Sequence, residues 1–87
     1  MHGEPIPNDV TMVKAEDNHL LLVVAGQAYR IAWTDCSSRL AQANKAERAL
    51  IEVSPSGYGL HWPLIDEDLA ITPLLEIAEP VLLETVT

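Results

Sequence analysis

This sequence has a single cysteine, no long apolar run, and no lysine or arginine in its C-terminal part. The one cysteine, Cys36, excludes an internal disulfide and any zinc site built from several thiolates. The longest apolar run, residues 20–25, is far too short to cross a bilayer. The first residues also lack the basic and apolar segments of a secretory signal. We therefore expect a cytoplasmic protein in which Cys36 is a small structural residue.

Positive charge is missing from the C-terminal part of the chain. Residues 49–87 hold seven acidic residues and no lysine or arginine, whereas residues 1–48 hold six acidic and five basic residues. The formal net charge is −8. A surface of one negative sign repels phosphate backbones and anionic lipid, and it attracts basic proteins or cations. We therefore expect no direct binding to nucleic acid or to membranes.

Composition and length predict one folded domain. Hydrophobic residues make up 48% of the 87 residues and charged residues 21%, which is typical of globular proteins and argues against intrinsic disorder. A chain of this length forms a single modest core. We expect an extended N-terminal lead over residues 1–8, a domain over residues 9–79 and an apolar C-terminal tail over residues 80–87.

Apolar patterning predicts three strands before the first helix. The strands are expected over residues 10–15, 20–25 and 28–33. Gly26-Gln27 between the second and third strands matches the loop of a tight hairpin, since Gly at the first turn position accepts the positive φ of a type II′ turn. These segments therefore form the start of an antiparallel sheet.

Capping residues predict two short consecutive helices after the third strand. Residues 35–38 supply N-cap candidates for a helix to about residue 43, and Asn44 and Glu47 have the spacing of a capping box. A hairpin of residues 51–54 and 58–62 follows. Thr72-Pro73 then begins a short C-terminal helix to about residue 78. The order βββααββα predicts an α+β fold around an antiparallel sheet of about five strands.

One continuous run resembles a known family. The run Gly57-Tyr58-Gly59-Leu60-His61-Trp62-Pro63, with Ile65-Asp66-Glu67-Asp68-Leu69 and Leu74-Leu75 after it, resembles the domain-of-unknown-function 2442 family of small bacterial proteins. The resemblance covers roughly residues 9 to 76. It implies an uncharacterised α+β domain with no established activity or cofactor. Genes for such proteins often resemble the second half of two-gene cassettes similar to toxin and antitoxin pairs.

Several polar side chains of this run could form a site. His61, Asp66 and Asp68 are metal candidates, since an imidazole and two carboxylates suit a divalent cation. The alternative interpretation is architectural: Asp66 caps a short turn, and Glu67 and Asp68 lie at its positive dipole end. We favour the second interpretation and expect no metal or cofactor.

The predicted function is a non-enzymatic acidic interaction module, antitoxin-like, that binds a more basic partner protein such as the product of an adjacent gene. Two alternatives stay open. One is a small metal- or ligand-dependent enzyme that uses His61 with Asp66 or Asp68, and the other is a structural homo-oligomer. The expected interaction residues are aromatic, acidic or apolar: Tyr58, Trp62, Asp66, Glu67, Asp68, Leu82 and Leu83.

Overall fold

The computed structural model describes residues 10–55 and 57–82, so the predicted N-terminal lead and Leu83 lie outside the described residues. Eleven helices and strands follow one another along this part of the chain. They are β1 (Val10–Ala15), β2 (His19–Val24), β3 (Gln27–Ala32), α1 (Trp33–Cys36), α2 (Ser38–Gln42), α3 (Lys45–Ala49), β4 (Glu52–Val53), β5 (Gly59–Trp62), β6 (Glu67–Ala70), α4 (Ile71–Ile77) and β7 (Glu79–Val81).

The strands form two antiparallel sheets. The first sheet has the order β1-β2-β3-β7, and the second has the order β4-β5-β6. This arrangement confirms the predicted α+β class with antiparallel pairing. It differs from the expected single sheet of about five strands, because β6 and β7 were not predicted and the strands after the helices pair separately. One further helical turn, α1, precedes the two predicted short helices.

The β2–β3 hairpin has a different turn from the predicted one. Val24 pairs with Gln27, so the two loop residues are Ala25 and Gly26, not Gly26 and Gln27. Both loop residues have positive φ, 50° at Ala25 and 82° at Gly26. Positive φ at both central positions defines a type I′ turn, which matches the right-handed twist of the flanking strands. The predicted type II′ turn is therefore wrong.

Side-chain caps begin the two middle helices. The Ser37 hydroxyl accepts a hydrogen bond from the Leu40 amide at 3.1 Å and begins α2. The predicted capping box is present at α3: the Glu47 amide donates to the Asn44 side chain at 2.8 Å, and the Asn44 amide donates to the Glu47 carboxylate at 2.9 Å. Each contact satisfies an amide that has no partner inside the helix.

The C-terminal helix begins before the predicted cap. Its N-cap is Ala70, and Pro73 is the third residue of α4. A proline fits the first turn, because the amides there have no partner within the helix. The helix ends at Ile77, with Ala78 as C-cap. Pro80 then lies in the edge strand β7, opposite Tyr29.

A single apolar core joins the two sheets and the helices. Trp33 and Trp62 meet edge to face at its centre, with ring centroids 6.4 Å apart. Each indole N–H donates to a main-chain carbonyl, Trp33 to Glu16 at 3.0 Å and Trp62 to Arg48 at 3.1 Å. The buried members of the core are Leu20, Leu22, Val24, Ile31, Trp33, Leu40, Leu60, Trp62, Ile71 and Leu74.

No helix in residues 10–55 or 57–82 is long and apolar enough to cross a membrane.

Candidate functional site

The second sheet places three polar side chains in one row on its outer face. Along β5, Leu60 and Trp62 are buried in the core, so Gly59 and His61 face the opposite side. His61 pairs with Glu52 of β4 on one side and with Asp68 of β6 on the other. Directly opposed residues on one face of a sheet interact across the strands. The row Glu52, His61 and Asp68 is therefore the polar centre of this face.

His61 is held by Asp68. Its Nδ1 lies 2.7 Å from Asp68 Oδ1, and the Asp68 side chain is 74% exposed. An ionised carboxylate can only accept, so Nδ1 carries the hydrogen and Nε2 is left for other contacts. Exposed ion pairs of this kind stabilise a fold by about 0–1 kcal/mol. The contact therefore orients the imidazole and adds little to stability.

A shallow depression of about 280 Å³ adjoins this row. Gly59, which has no side chain, lies in its floor between Tyr58 and His61. The Gly59 amide donates to the Ser54 hydroxyl at 3.1 Å, which fixes one wall. Tyr58 is 54% exposed beside it. We call this feature the hairpin depression, and its lining combines an aromatic ring, a hydroxyl and the His61–Asp68 pair.

The acidic run is not a helix cap. Residues 63–66 form the turn between β5 and β6, and Asp66 ends that turn with a φ of 53°. Aspartate tolerates this left-handed region better than most residues. Glu67 and Asp68 then belong to strand β6, where they pair with Trp62 and His61. The expectation that they lie at the positive end of a helical turn is therefore corrected.

The metal candidates are only partly brought together. The structure places His61 beside Asp68. Among the described residues, no group of three or more His, Cys, Asp or Glu side chains could hold a metal ion. Asp66 therefore does not complete a three-ligand set with this pair.

Most of the predicted interaction residues lie on the surface. Tyr58, Asp66 and Asp68 are exposed, Glu67 is half-buried, and Leu82 is 86% exposed. Trp62 is the exception, because the alternation of β5 turns it into the core beside Leu60. Its side chain is therefore part of the fold and is not accessible to a partner.

Two further depressions could not be predicted from the sequence, because their lining residues come from distant parts of the chain. The edge depression, of about 260 Å³, lies between β6 and the helices α1 and α4, and its lining includes Asp35, Cys36 and Ile77. The sheet depression, of about 560 Å³, shares Asp35 and Ile77 and adds residues of β2, β3 and β7. The edge depression also shares Asp68, Leu69 and Ala70 with the hairpin depression. The edge depression therefore adjoins each of the other two depressions.

Cys36 is a poor nucleophile in this setting. Burial raises the pKa of its thiol to about 12; the neighbouring Asp35 carboxylate adds to the shift, and Arg48 opposes it. Thiolate is the reactive form of cysteine, so Cys36 is protonated and unreactive at neutral pH. This agrees with a structural role for the residue.

Comparison with known proteins gives one family. The family model described as Protein of unknown function (DUF2442) matches residues 10–80. No curated protein and no solved structure matches the chain.

Proposed function

The chain belongs to DUF2442, a family of proteins of unknown function, and we propose that it is an acidic protein-interaction module that binds a more basic protein. One observation carries the proposal: the second sheet and its β5–β6 turn gather four carboxylates, and no lysine or arginine of the described residues lies at ion-pair distance from any of them. We call these residues the acidic surface; they are Glu52, Asp66, Glu67 and Asp68.

In the described part of the chain, the ion pairs formed by lysine and arginine lie outside the acidic surface. Two acidic residues of the N-terminal half are paired, in Lys14–Glu16 and Lys45–Asp17, and Glu79 of the C-terminal half pairs with Arg30. Among the described residues, His61 is the one basic side chain at ion-pair distance from the acidic surface. Unneutralised charge of one sign accelerates encounter with a partner of opposite sign and disfavours wrong partners. The acidic surface therefore favours a basic partner.

Apolar side chains accompany the acidic surface. Leu50, Val53, Tyr58 and Leu64 are all exposed, and all lie in or next to the second sheet. Tyrosine is among the residue types that contribute most of the binding energy at interfaces. A charged rim with exposed apolar and aromatic groups is the usual composition of a transient protein interface. This combination supports an interface more than a solvated surface alone.

The partner that we favour is the product of the neighbouring gene. Genes for proteins of this family often resemble the second half of two-gene cassettes similar to toxin and antitoxin pairs. We expect the two proteins, co-expressed and separated by size exclusion, to elute together at micromolar concentration. Two independent peaks would contradict the proposal.

Matched variants locate the interface. We expect the triple variant Glu52→Gln, Asp66→Asn, Asp68→Asn to lose co-elution. The control triple Glu16→Gln, Asp17→Asn, Glu76→Gln removes the same charge elsewhere on the surface and should keep it. Equal loss in both variants would show that net charge, and not the acidic surface, governs binding.

A further inference from the structure

We propose that the partner contributes an extended basic segment, which adds as a fourth strand to the free edge of β6. This inference rests on the function proposed above and specifies which element of the partner is bound. Strand addition uses main-chain hydrogen bonds for affinity and pockets beside the edge for specificity.

The outward main-chain groups of β6 follow from the hairpin register. The Ile71 amide donates to the Tyr58 carbonyl at 2.9 Å, so this pair is hydrogen-bonded. Antiparallel pairs alternate, so the next bonded pair is Leu69 with Leu60, and the main-chain groups of Asp68 and Ala70 point away from β5.

The other side of β5 gives the same register. The Ser54 amide donates to the Gly59 carbonyl at 2.9 Å, which directs the main chain of Gly59 toward β4 and that of Leu60 toward β6. Within residues 10–55 and 57–82, β6 has one neighbouring strand, and its outer side has none. The alternation leaves the amides of Asp68 and Ala70 unbonded to β5, and no turn or loop main-chain hydrogen bond within the described residues includes them. These amides are therefore available to an incoming strand.

The depressions provide room beside this edge. The edge depression is lined by Asp68, Leu69 and Ala70, and it continues into the hairpin depression on one side and the sheet depression on the other. An extended chain advances about 3.3 Å per residue, so a short segment can contact several parts of such a path. The hairpin and edge depressions thus form a groove along β6, and the groove continues past the strand into the sheet depression.

The charges of the groove select the occupant. Asp35 and Asp68 line it, and Glu79 holds Arg30 at 2.8 Å and thereby offsets that positive charge. Ile77 is 56% exposed and, with Pro73, provides apolar contact. A segment in which lysine or arginine alternates with aliphatic residues matches both the acidic and the apolar side chains of the groove. Acidic residues on an edge strand also discourage pairing with a second copy of this acidic chain.

A defined peptide tests the inference. The probe is acetyl-Lys-Val-Lys-Val-Lys-Val-Lys-amide, titrated into the full-length protein at low ionic strength. The key variant is Ala70→Pro, because Ala70 has a φ of −79° that proline adopts readily. It removes one outward amide and leaves every charge in place. We expect calorimetry to show binding to the wild type and an affinity at least ten-fold lower for the variant.

Hydrogen exchange gives an independent measurement that does not depend on the variant folding. We expect the Asp68 and Ala70 amides of the wild type to exchange quickly in the free protein and more slowly with peptide. The Leu69 amide, already bonded to β5, should change little. Equal affinity of wild type and Ala70→Pro, or unchanged exchange at Asp68 and Ala70, would overturn strand addition.

The outcomes separate this inference from the proposed function. If the wild type co-elutes with the neighbouring gene product but does not bind the peptide, the proposed function stands and strand addition is wrong. If the wild type binds neither the gene product nor the peptide, both the proposed function and strand addition are wrong. Protection of the Asp68 amide in the free protein would mean that the edge is already occupied by the chain itself or, if concentration-dependent, by a second copy, and would contradict the inference.

Discussion

The Arg48 guanidinium donates hydrogen bonds to main-chain carbonyls, and it forms no ion pair with a carboxylate of the described residues. Its Nε and Nη2 atoms donate to the carbonyls of Leu40 and Ala41 at 3.0 Å each, at the end of α2. The guanidinium also lies 5.1 Å from the centre of the Trp33 ring, and the Arg48 carbonyl accepts the Trp62 indole N–H. Carbonyls in the last turn of a helix lack their usual partner inside it, and the Leu40 carbonyl accepts a second hydrogen bond, from the Ala43 amide at 3.2 Å. Arg48 thus fastens α2, α3 and the two tryptophans together.

Replacement of Arg48 should be costly for that reason. We expect Arg48→Met, which keeps the apolar stem, to lower the free energy of unfolding by about 1.5–3 kcal/mol, the usual loss for a hydrogen bond to a charged group. Arg39→Met is the control, because Arg39 makes one exposed hydrogen bond to the Ile65 carbonyl. Urea unfolding measures both. Equal changes in the two variants would show that the carbonyl contacts of Arg48 add nothing specific.

The β2–β3 turn is the element in which sequence and backbone fit least well. Ala25 adopts a left-handed conformation that costs a non-glycine residue roughly 1–2 kcal/mol, whereas asparagine accepts it readily. We expect Ala25→Asn to stabilise the fold by about 0.5–1 kcal/mol and Gly26→Ala to destabilise it by about 1 kcal/mol. The second effect is conformational, since an added Cβ at Gly26 meets nothing within 4 Å. Thermal unfolding of both variants measures the difference, and a destabilised Ala25→Asn protein would exclude the type I′ turn.

Local signals explain which elements could be predicted. The alternation of β1 and the capping box of α3 are each contained in a few consecutive residues, and both predictions are confirmed. Strands β6 and β7 depend on pairing with distant segments. Glu67 and Asp68 have low strand propensity and are held by the register with β5, and Pro80 fits β7 because an edge strand can lack an amide.

The candidate site was predictable only in part for the same reason. The sequence places a histidine close to three acids, but the hairpin register decides that Asp68, and not Asp66, meets His61. The same alternation buries Trp62 and leaves Tyr58 on the surface. The free edge of β6 and the groove beside it exist only after α1 and α4 pack near that strand. Consecutive residues carry no signal for such a surface.

At the scale of the whole molecule, the acidic surface opposes folding as well as favouring a partner. Like charges concentrated on one sheet repel each other in the compact state, and salt screens that repulsion within about 10 Å at 0.1 M. The N-terminal half contains the ion pairs Lys14–Glu16 and Lys45–Asp17; the second is highly exposed, Glu16 of the first is half-buried, and surface pairs of this kind stabilise a fold only weakly. Salt should therefore weaken the repulsion within the acidic surface more than it weakens the attraction within these ion pairs.

The stability of the isolated protein should consequently rise with ionic strength. We expect the melting temperature to increase by a few degrees between about 0.05 and 0.5 M sodium chloride, since the Debye length falls severalfold over that range. The increase should be smaller in the Glu52→Gln, Asp66→Asn, Asp68→Asn triple variant, which has fewer like charges to screen. The control triple Glu16→Gln, Asp17→Asn, Glu76→Gln should keep most of the wild-type response, because its acidic surface is intact. Differential scanning calorimetry of the three proteins measures this, and an identical response in both variants would place the repulsion in net charge and not in the acidic surface.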